Sequence, residues 1–170
     1  TCFPLNITMV VFKHLDETYF NYPARTQFLE MTALGLLGFL IPFTIGHPQL
    51  LVGVLVNALI IRSALSLPAY KTLPIIFAPT IGVLARGLLF GPFTMFIVYL
   101  MPFIWFGNYI LIYAFKLKIK NKASYFTTLL VGALVKAGFL YAIALTLNSM
   151  GVIPSILVPT MGVLQFTTEF

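Results

Sequence analysis

The stretch GHPQLLVGVLVNALIIRS, residues 46–63, decides the fold of this chain because an altered copy of it follows much later. LLVGVLVNA (residues 50–58) aligns with LLVGALVKA (residues 129–137), and PTIGVL (residues 79–84) aligns with PTMGVL (residues 159–164). The two pairs occur in the same order, and their spacings differ by a single residue. Both copies are mostly apolar and do not alternate polar with apolar residues, which indicates helices.

The composition predicts an integral membrane protein. Of the 170 residues 60% are hydrophobic and only 8% are charged, and the mean hydropathy is +1.02. These values lie outside the range of soluble globular domains. A helix needs roughly 20 apolar residues to cross a hydrocarbon core of ~30 Å, and the continuous apolar runs here exclude the alternation of a membrane β-barrel. We therefore expect an all-α membrane protein.

Six stretches have about the length of a membrane span, separated by Gly, Pro, Asn or charged residues. They are residues 28–46, 48–67, 73–90, 93–115, 124–147 and 152–170. We expect one six-helix transmembrane domain over residues 28–170. Residues 1–27 contain only a short apolar run followed at once by charged residues, so we expect an interfacial or extramembrane arm there.

The basic residues predict the orientation. They precede the first span, flank the link between the second and third, and cluster between the fourth and fifth: Arg25, Arg62, Lys71, Lys116, Lys118, Lys120 and Lys122. These positions share a side if every span crosses fully, and the positive-inside rule makes that side cytoplasmic. We expect a multi-pass protein of the cell membrane with both termini cytoplasmic. In the alternative topology the third and sixth segments, which Pro and Gly interrupt, are re-entrant, and the lysine cluster lies outside.

The repeat predicts a particular architecture. Each half, residues 28–92 and 93–170, contains three spans, so the second half would enter the membrane the opposite way round. Inverted repeats of this kind occur in many transport proteins, whose substrate sites lie near the repeat interface beside interrupted helices. The alternative is that Leu, Val and Gly recur because small residues help any membrane helices to pack.

Polar residues within and above the spans are the candidate ligand-binding residues. Lys136 and Arg86 lie inside apolar segments, where a charge costs ~2.5–3.5 kcal/mol and normally faces the bundle interior or a partner. Lys136 aligns with Asn57 in the repeat. Other candidates lie towards the outer ends of the spans: His47, Gln49, Trp105, Asn108 and Asn148. Snorkelling of Arg86, a helix–helix hydrogen bond at Asn57 and interfacial anchoring of Trp105 are the structural alternatives.

Chemistry-bearing motifs are scarce. The four acidic residues are Asp16, Glu17, Glu30 and Glu169, and none is central to a span. We expect Glu169 near the cytoplasmic end. One cysteine and two histidines form no metal-ligand spacing, and the sequence contains no nucleotide-binding loop. We expect no enzymatic activity, no cofactor, no metal and no nucleic acid partner; the net charge of +6 reports topology instead.

Six spans in a small chain, termini inside, and a third segment LPIIFAPTIGVLARGLLFGP with Pro and Gly punctuation resemble the substrate-binding S components of energy-coupling factor (ECF) transporters. The resemblance covers residues 28–170. It implies capture of a vitamin or other micronutrient from outside and association with a transmembrane coupling protein and two ATPases. The family often docks through Ala-x-x-x-Ala on its first helix; this chain instead has Ala33, Gly35 and Gly38 there.

Two functions from different classes follow. The first is a substrate-capture subunit of an ATP-driven uptake system, with the candidate residues orienting a small molecule, which the two cations predict to be anionic. The second is a non-transporting subunit that anchors or assembles a larger complex. A small channel or facilitator is a third reading, which the shortage of polar residues along the spans disfavours.

Overall fold

The structure, a computed structural model, describes residues 23–45, 48–87, 95–121 and 124–169, and every regular element in these ranges is a helix. The predicted arm up to residue 22 and His47 lie outside the described residues. Five regular α-helices lie in these ranges: α1 (Ala24–Thr44), α2 (Gln49–Ser66), α3 (Leu73–Arg86), α4 (Ile97–Asn121) and α5 (Tyr125–Ser149). The last helix, α6, consists of three consecutive parts: a helical turn (Leu157–Pro159), a π-helical turn (Thr160–Leu164) and a final α-helical turn (Gln165–Glu169).

Four helices are long and apolar enough to cross a membrane: Ala24–Thr44, Gln49–Ser66, Ile97–Lys118 and Tyr125–Ser149. They confirm the all-α prediction and are compatible with a membrane protein. α1 begins at Ala24, so residues 24–27 of the predicted arm belong to a helix. The third and sixth predicted spans form shorter elements, since α3 has 14 residues and α6 is broken into pieces. Six full spans therefore stay a prediction.

Large apolar side chains cover the outside of the helices. Leu29, Phe126 and Val163 are among many that are more than half exposed. Soluble monomers rarely expose apolar patches of this extent, whereas lipid tails would cover them.

Helices α1 and α3 pack closely in parallel because each presents a glycine to a proline of the other. A Cβ at Gly38 would lie 3.6 Å from the Pro79 ring, and one at Gly82 would meet the Pro42 ring at 3.0 Å and collide with the Phe39 carbonyl oxygen. Proline inside a helix lacks the backbone donor and bends the helix, and glycine lets the neighbouring backbone approach. The interface thus depends on four residues without flexible side chains.

Contacts at the two ends of α3 show how much of the bundle height this segment covers. The Lys71 ammonium, just before α3, donates to Gln27 Oε1 at 2.7 Å. At the other end, Arg86 Nη1 donates to the carbonyl oxygens of Phe43, at 2.7 Å, and Thr44. Residues 71–86 therefore cover the same height as residues 27–44 of α1, about 25 Å at the helical rise of 1.5 Å per residue.

Most of the described basic side chains lie at one end of the helices. Arg62 pairs with Glu30 at 2.9 Å. The Lys116 ammonium donates to the Leu67 carbonyl oxygen just beyond the end of α2. Together with the Lys71 contact to α1, these bonds define the basic end of the bundle, while Arg86 lies at the opposite end. Which side of a membrane the basic end faces stays a prediction.

In the described part of the chain, two large apolar clusters lie one above the other, and a small third cluster joins Val52 and Val83. The cluster towards the basic end centres on Ile60, Leu67, Ile75, Leu111 and Phe115. The second cluster joins α4, α5 and α6, and its members include Ile97, Leu100, Leu140, Leu157 and Met161. Asn57 on α2, Asn108 on α4 and Lys136 on α5 are buried just where the first cluster ends. Other buried polar residues of these helices, such as Ser63 and Lys116, lie nearer the basic end. The bundle therefore carries a polar layer near mid-height, bounded by apolar packing.

The last helix, α6, reaches only this layer within the described chain. A Cβ added at Gly53 would collide with the Thr168 side chain, and Asn57 hydrogen-bonds to Thr168. Both α2 residues lie in the first half of that 18-residue helix. The expectation that Glu169 lies near the cytoplasmic end is therefore wrong, because its helical turn reaches only half of the bundle height.

Candidate ligand-binding cavity

A cavity of about 100 Å³ lies among α1, α2, α3, α4 and α6. Its deep end is the polar layer at Asn57 and Asn108, and it extends to Pro42, Gln49 and Ile97 near the end opposite the basic one. The polar groups of its wall are amides and hydroxyls, contributed by Gln49, Asn57, Thr80, Asn108, Gln165 and Thr168. The remaining wall is apolar: Pro42, Val52, Gly53, Val56, Pro79, Val83, Ile97, Ile104, Met161 and Leu164.

Backbone irregularities shape the wall of this cavity. Pro42 and Pro79 lie inside helices, where each leaves one carbonyl of the preceding turn without its usual donor. The π-helical turn of α6 supplies Met161 and Leu164. π-Helical turns are rare and occur frequently at functional sites. Residues at or beside these irregular turns of α1, α3 and α6 therefore line the cavity, while no described residue of α5 does.

Lys136 lies behind the cavity wall and supports Asn57. Its side chain is 1% exposed, and its ammonium donates to Asn57 Oδ1 at 2.8 Å. The Lys136 stem passes over Gly107, where an added Cβ would lie 3.3 Å from Cγ of the lysine. Asn57 Nδ2 in turn donates to Thr168 Oγ1 at 3.1 Å, and Thr168 Oγ1 donates to the Gln165 carbonyl oxygen at 2.9 Å. The chain of bonds joins α5, α2 and α6.

This chain of bonds fixes the orientation of the Asn57 amide. An ammonium group has donors only, so the atom facing Lys136 must be the carbonyl oxygen of Asn57. The amide nitrogen is then directed towards α6 and the cavity. Nδ2 donates to Thr168 Oγ1 at 3.1 Å and to the Thr168 carbonyl oxygen at 3.4 Å. A charged donor on the Asn57 carbonyl oxygen polarises the amide and strengthens its N–H donors. Lys136 thus turns the donor side of the Asn57 amide towards Thr168 at the cavity wall.

Trp105 acts on the cavity through Thr80. Its indole Nε1 donates to Thr80 Oγ1 at 2.6 Å, and this hydroxyl donates to the Phe77 carbonyl oxygen at 2.8 Å. The Trp105 ring also packs edge-on against Phe77, with centroids 4.7 Å apart. Both bonds hold the Thr80 hydroxyl in one orientation at the wall.

Asn108 is the polar group best placed to meet a ligand. It lines the cavity and is only 4% exposed. Within the described ranges its carboxamide has no hydrogen-bond partner, whereas Asn57, Thr80 and Thr168 all have one. A buried amide without a partner costs ~1–3 kcal/mol, and such groups call for an explanation such as a water or a ligand.

The structure brings together some of the predicted ligand-binding residues and separates others. Gln49, Asn57 and Asn108 line the cavity, and Lys136 and Trp105 support the wall from behind. Arg86 does not line the cavity, because its guanidinium binds the last carbonyl groups of α1. Nor does Asn148, whose amide donates to the Ile153 carbonyl oxygen at 2.9 Å and closes the turn after α5.

Three polar wall residues were not predicted from the sequence: Thr80, Gln165 and Thr168. A signal for two of them was present, since Met161, Leu164, Gln165 and Thr168 are spaced as i, i+3, i+4 and i+7, the pattern of one helix face. Thr80 belongs to the repeated Pro-Thr-x-Gly motif. The motif does not predict a role in binding, because a threonine in a membrane helix commonly hydrogen-bonds to the backbone of its own helix.

The three predicted docking residues on α1 have different surroundings. Ala33 is exposed, and a Cβ at Gly35 would meet no atom within 4 Å. Gly38 is buried against Ala78 and Pro79 of α3. Packing inside the bundle therefore uses Gly38, and docking through this helix stays a prediction for the other two.

No protein-family model matches this chain, and neither a curated protein nor a solved structure gives a significant match. Within the part of the chain that the structure describes, no group of three His, Cys, Asp or Glu side chains could hold a metal ion. The candidate site therefore rests on its own geometry.

Proposed function

We propose that this chain is a membrane-embedded subunit that captures a small molecule from outside the cell for an ATP-driven uptake complex, as the ECF S components that it resembles do. The observation that carries the proposal is Asn108, a buried carboxamide that faces a cavity without a hydrogen-bond partner in the described residues. A bound molecule would supply the missing partner.

The position of the cavity supports capture from outside. Its wall extends from mid-height to Gln49 and Pro42, near the end opposite Arg62, Lys71 and Lys116. If the positive-inside rule holds, that end faces outward. Residues 71–86 cover the same height of the bundle as residues 27–44 of α1. This favours the six-span topology over re-entrant segments.

The inverted repeat remains part of this proposal. The hydrogen bond between Lys136 and Asn57 joins two positions that the repeat makes equivalent, as expected of residues near a pseudo-twofold axis. Packing is less symmetric, because Gly82 lies against α1 while Gly162 lies against Tyr141 of α5. Energy would come from partner ATPases through a coupling protein, since the sequence contains no nucleotide-binding loop.

Ligand retention tests the proposal. The gently purified protein is analysed by native mass spectrometry, and molecules released from it are identified. We expect a stoichiometric small molecule, and we expect Asn108→Leu to lose it. Asn148→Leu is the matched control, because it removes the same amide from a turn outside the cavity. Retention by Asn108→Leu at the wild-type level would refute capture at this site.

A subunit that assembles a larger complex is the second candidate, favoured by the open space beside Gly35 on the exposed face of α1. Small residues let a partner helix approach closely. A preparation without a small molecule that co-purifies with other membrane proteins, and loses them in Gly35→Leu, would favour this function. A channel is disfavoured by the apolar cluster around Ile60 and Leu111, which closes the bundle below the polar layer.

A further inference from the structure

The wall of the cavity restricts the charge of its ligand. Among the residues that the structure describes, the sixteen that line the cavity include no charged side chain. The two intramembrane cations are both committed elsewhere: Arg86 binds carbonyl groups of α1, and Lys136 binds Asn57 from behind the wall. A carboxylate in this cavity would meet amides and hydroxyls without a cation in direct contact, and burying an anion in that way is strongly unfavourable.

The amides also restrict the ligand's hydrogen-bonding groups. Lys136 turns the N–H side of the Asn57 amide towards Thr168 and the cavity wall, so a ligand acceptor is favoured over a donor beside Asn57. Asn108 offers both a carbonyl oxygen and an amide nitrogen, and an amide edge satisfies both at once through two parallel hydrogen bonds. The site thus selects a group with an acceptor beside a donor.

The volume limits the size. A site for one water needs ~10–15 Å³ on this measure, so a cavity of about 100 Å³ admits on the order of seven to ten non-hydrogen atoms.

From these observations, and resting on the proposed capture function, we propose that the ligand is an uncharged molecule, or the end of one, with about seven to ten non-hydrogen atoms. It carries a carboxamide or lactam edge that hydrogen-bonds to Asn108, with the acceptor of this edge on the side of Asn57. Lys136 is a positioning residue: it orients Asn57 and does not contact the ligand. This class replaces the anionic ligand that the two cations predict from sequence.

Three probes test the class: benzamide, 2-pyridone and benzoate, titrated by ligand-observed NMR into the full chain in lipid nanodiscs. Benzamide and benzoate have the same shape and differ in charge. Ligands of this size bind in the millimolar to micromolar range. We expect saturable binding of benzamide and 2-pyridone and at least about tenfold weaker binding of benzoate. Benzoate binding as tight as benzamide, or no binding of either amide, would overturn the proposal.

Two variants test the role of Lys136. Lys136→Gln keeps an N–H donor for Asn57 without the charge, whereas Lys136→Met has no donor. We expect Lys136→Met to weaken benzamide binding about tenfold and Lys136→Gln to restore it to within about threefold. Thr146→Val, on the exposed face of α5, controls for folding. If Lys136→Gln and Lys136→Met weaken benzamide binding equally, the positioning role is contradicted. The positive charge of Lys136 would then itself contribute to ligand binding.

The outcomes separate the two proposals. A co-purified anion whose binding depends on Lys136 would sustain capture and refute the uncharged class. Absence of any co-purified molecule, together with no binding of the three probes, would refute both.

Discussion

At the scale of single residues, Arg86 has a structural role that its position in an apolar segment did not reveal. It donates to the carbonyl oxygens of Phe43 and Thr44, which belong to the last turn of α1 and have no partner within their helix. A cation there also interacts favourably with the helix dipole. Arg86 thus ties the end of α3 to the end of α1.

We expect Arg86→Met to lower the stability of the protein without affecting ligand retention. The side chain is partly exposed, so we discount the two charged hydrogen bonds to about 1 kcal/mol, or a melting temperature lower by roughly 2–4 °C. Thermal unfolding in detergent and native mass spectrometry of the same samples measure the two effects.

Arg62→Met is the matched control for this substitution. The Arg62 side chain is 62% exposed and pairs with Glu30 at the surface, and such pairs contribute little. We expect a smaller change in melting temperature than for Arg86→Met. A folded Arg86→Met protein that no longer retains its ligand would restore Arg86 as a binding residue.

At the scale of elements, the parallel packing of α1 on α3 holds two cavity walls in place. Gly82 has no room for a side chain, because a Cβ would collide with the Phe39 carbonyl oxygen and the Pro42 ring. Neither a backbone carbonyl nor a proline ring can rotate away. The two helices can therefore accommodate a methyl group only by separating.

We expect Gly82→Ala to destabilise the protein by about 1–3 kcal/mol, as overpacking does. Gly35→Ala on α1 is the control, because nothing lies within 4 Å of the added Cβ there. At Gly35 the better helix propensity of alanine predicts an unchanged or slightly raised melting temperature. Similar melting curves for the two variants would show that α1 and α3 are not packed as described.

The sequence predicts some features of the elements well and others not at all. Hydropathy located the long helices well, because their length is set by the membrane and their composition is unmistakable. It could not fix helix rotation, so Lys136 and Asn108, both polar residues in spans, could not be separated into one that supports the wall and one that faces the cavity. Asn148 and Arg86 differ from the true wall residues only in their hydrogen-bond partners, which depend on tertiary contacts.

At the scale of the whole molecule, the two ends of the bundle differ: basic side chains lie at one end, the polar layer lies near mid-height, and the cavity lies in the other half. The cavity lies in the half away from Arg62, Lys71 and Lys116. Apolar packing around Ile60 and Leu111 separates it from the basic end. The apolar packing therefore blocks direct entry from the basic end unless the helices move.

The topology follows from this difference between the two ends and is testable in intact cells. Ser124 and Ser149 are exposed residues at opposite ends of α5, whose 25 residues cover about 37 Å. In a Cys2→Ser background, Ser149→Cys and Ser124→Cys each carry the sole cysteine, because the chain has only one of its own. We expect a membrane-impermeant maleimide to label Ser149→Cys from outside and Ser124→Cys only after permeabilisation. The reverse pattern would place the lysine cluster outside, as the re-entrant topology requires, and the cavity would then face the cytoplasm.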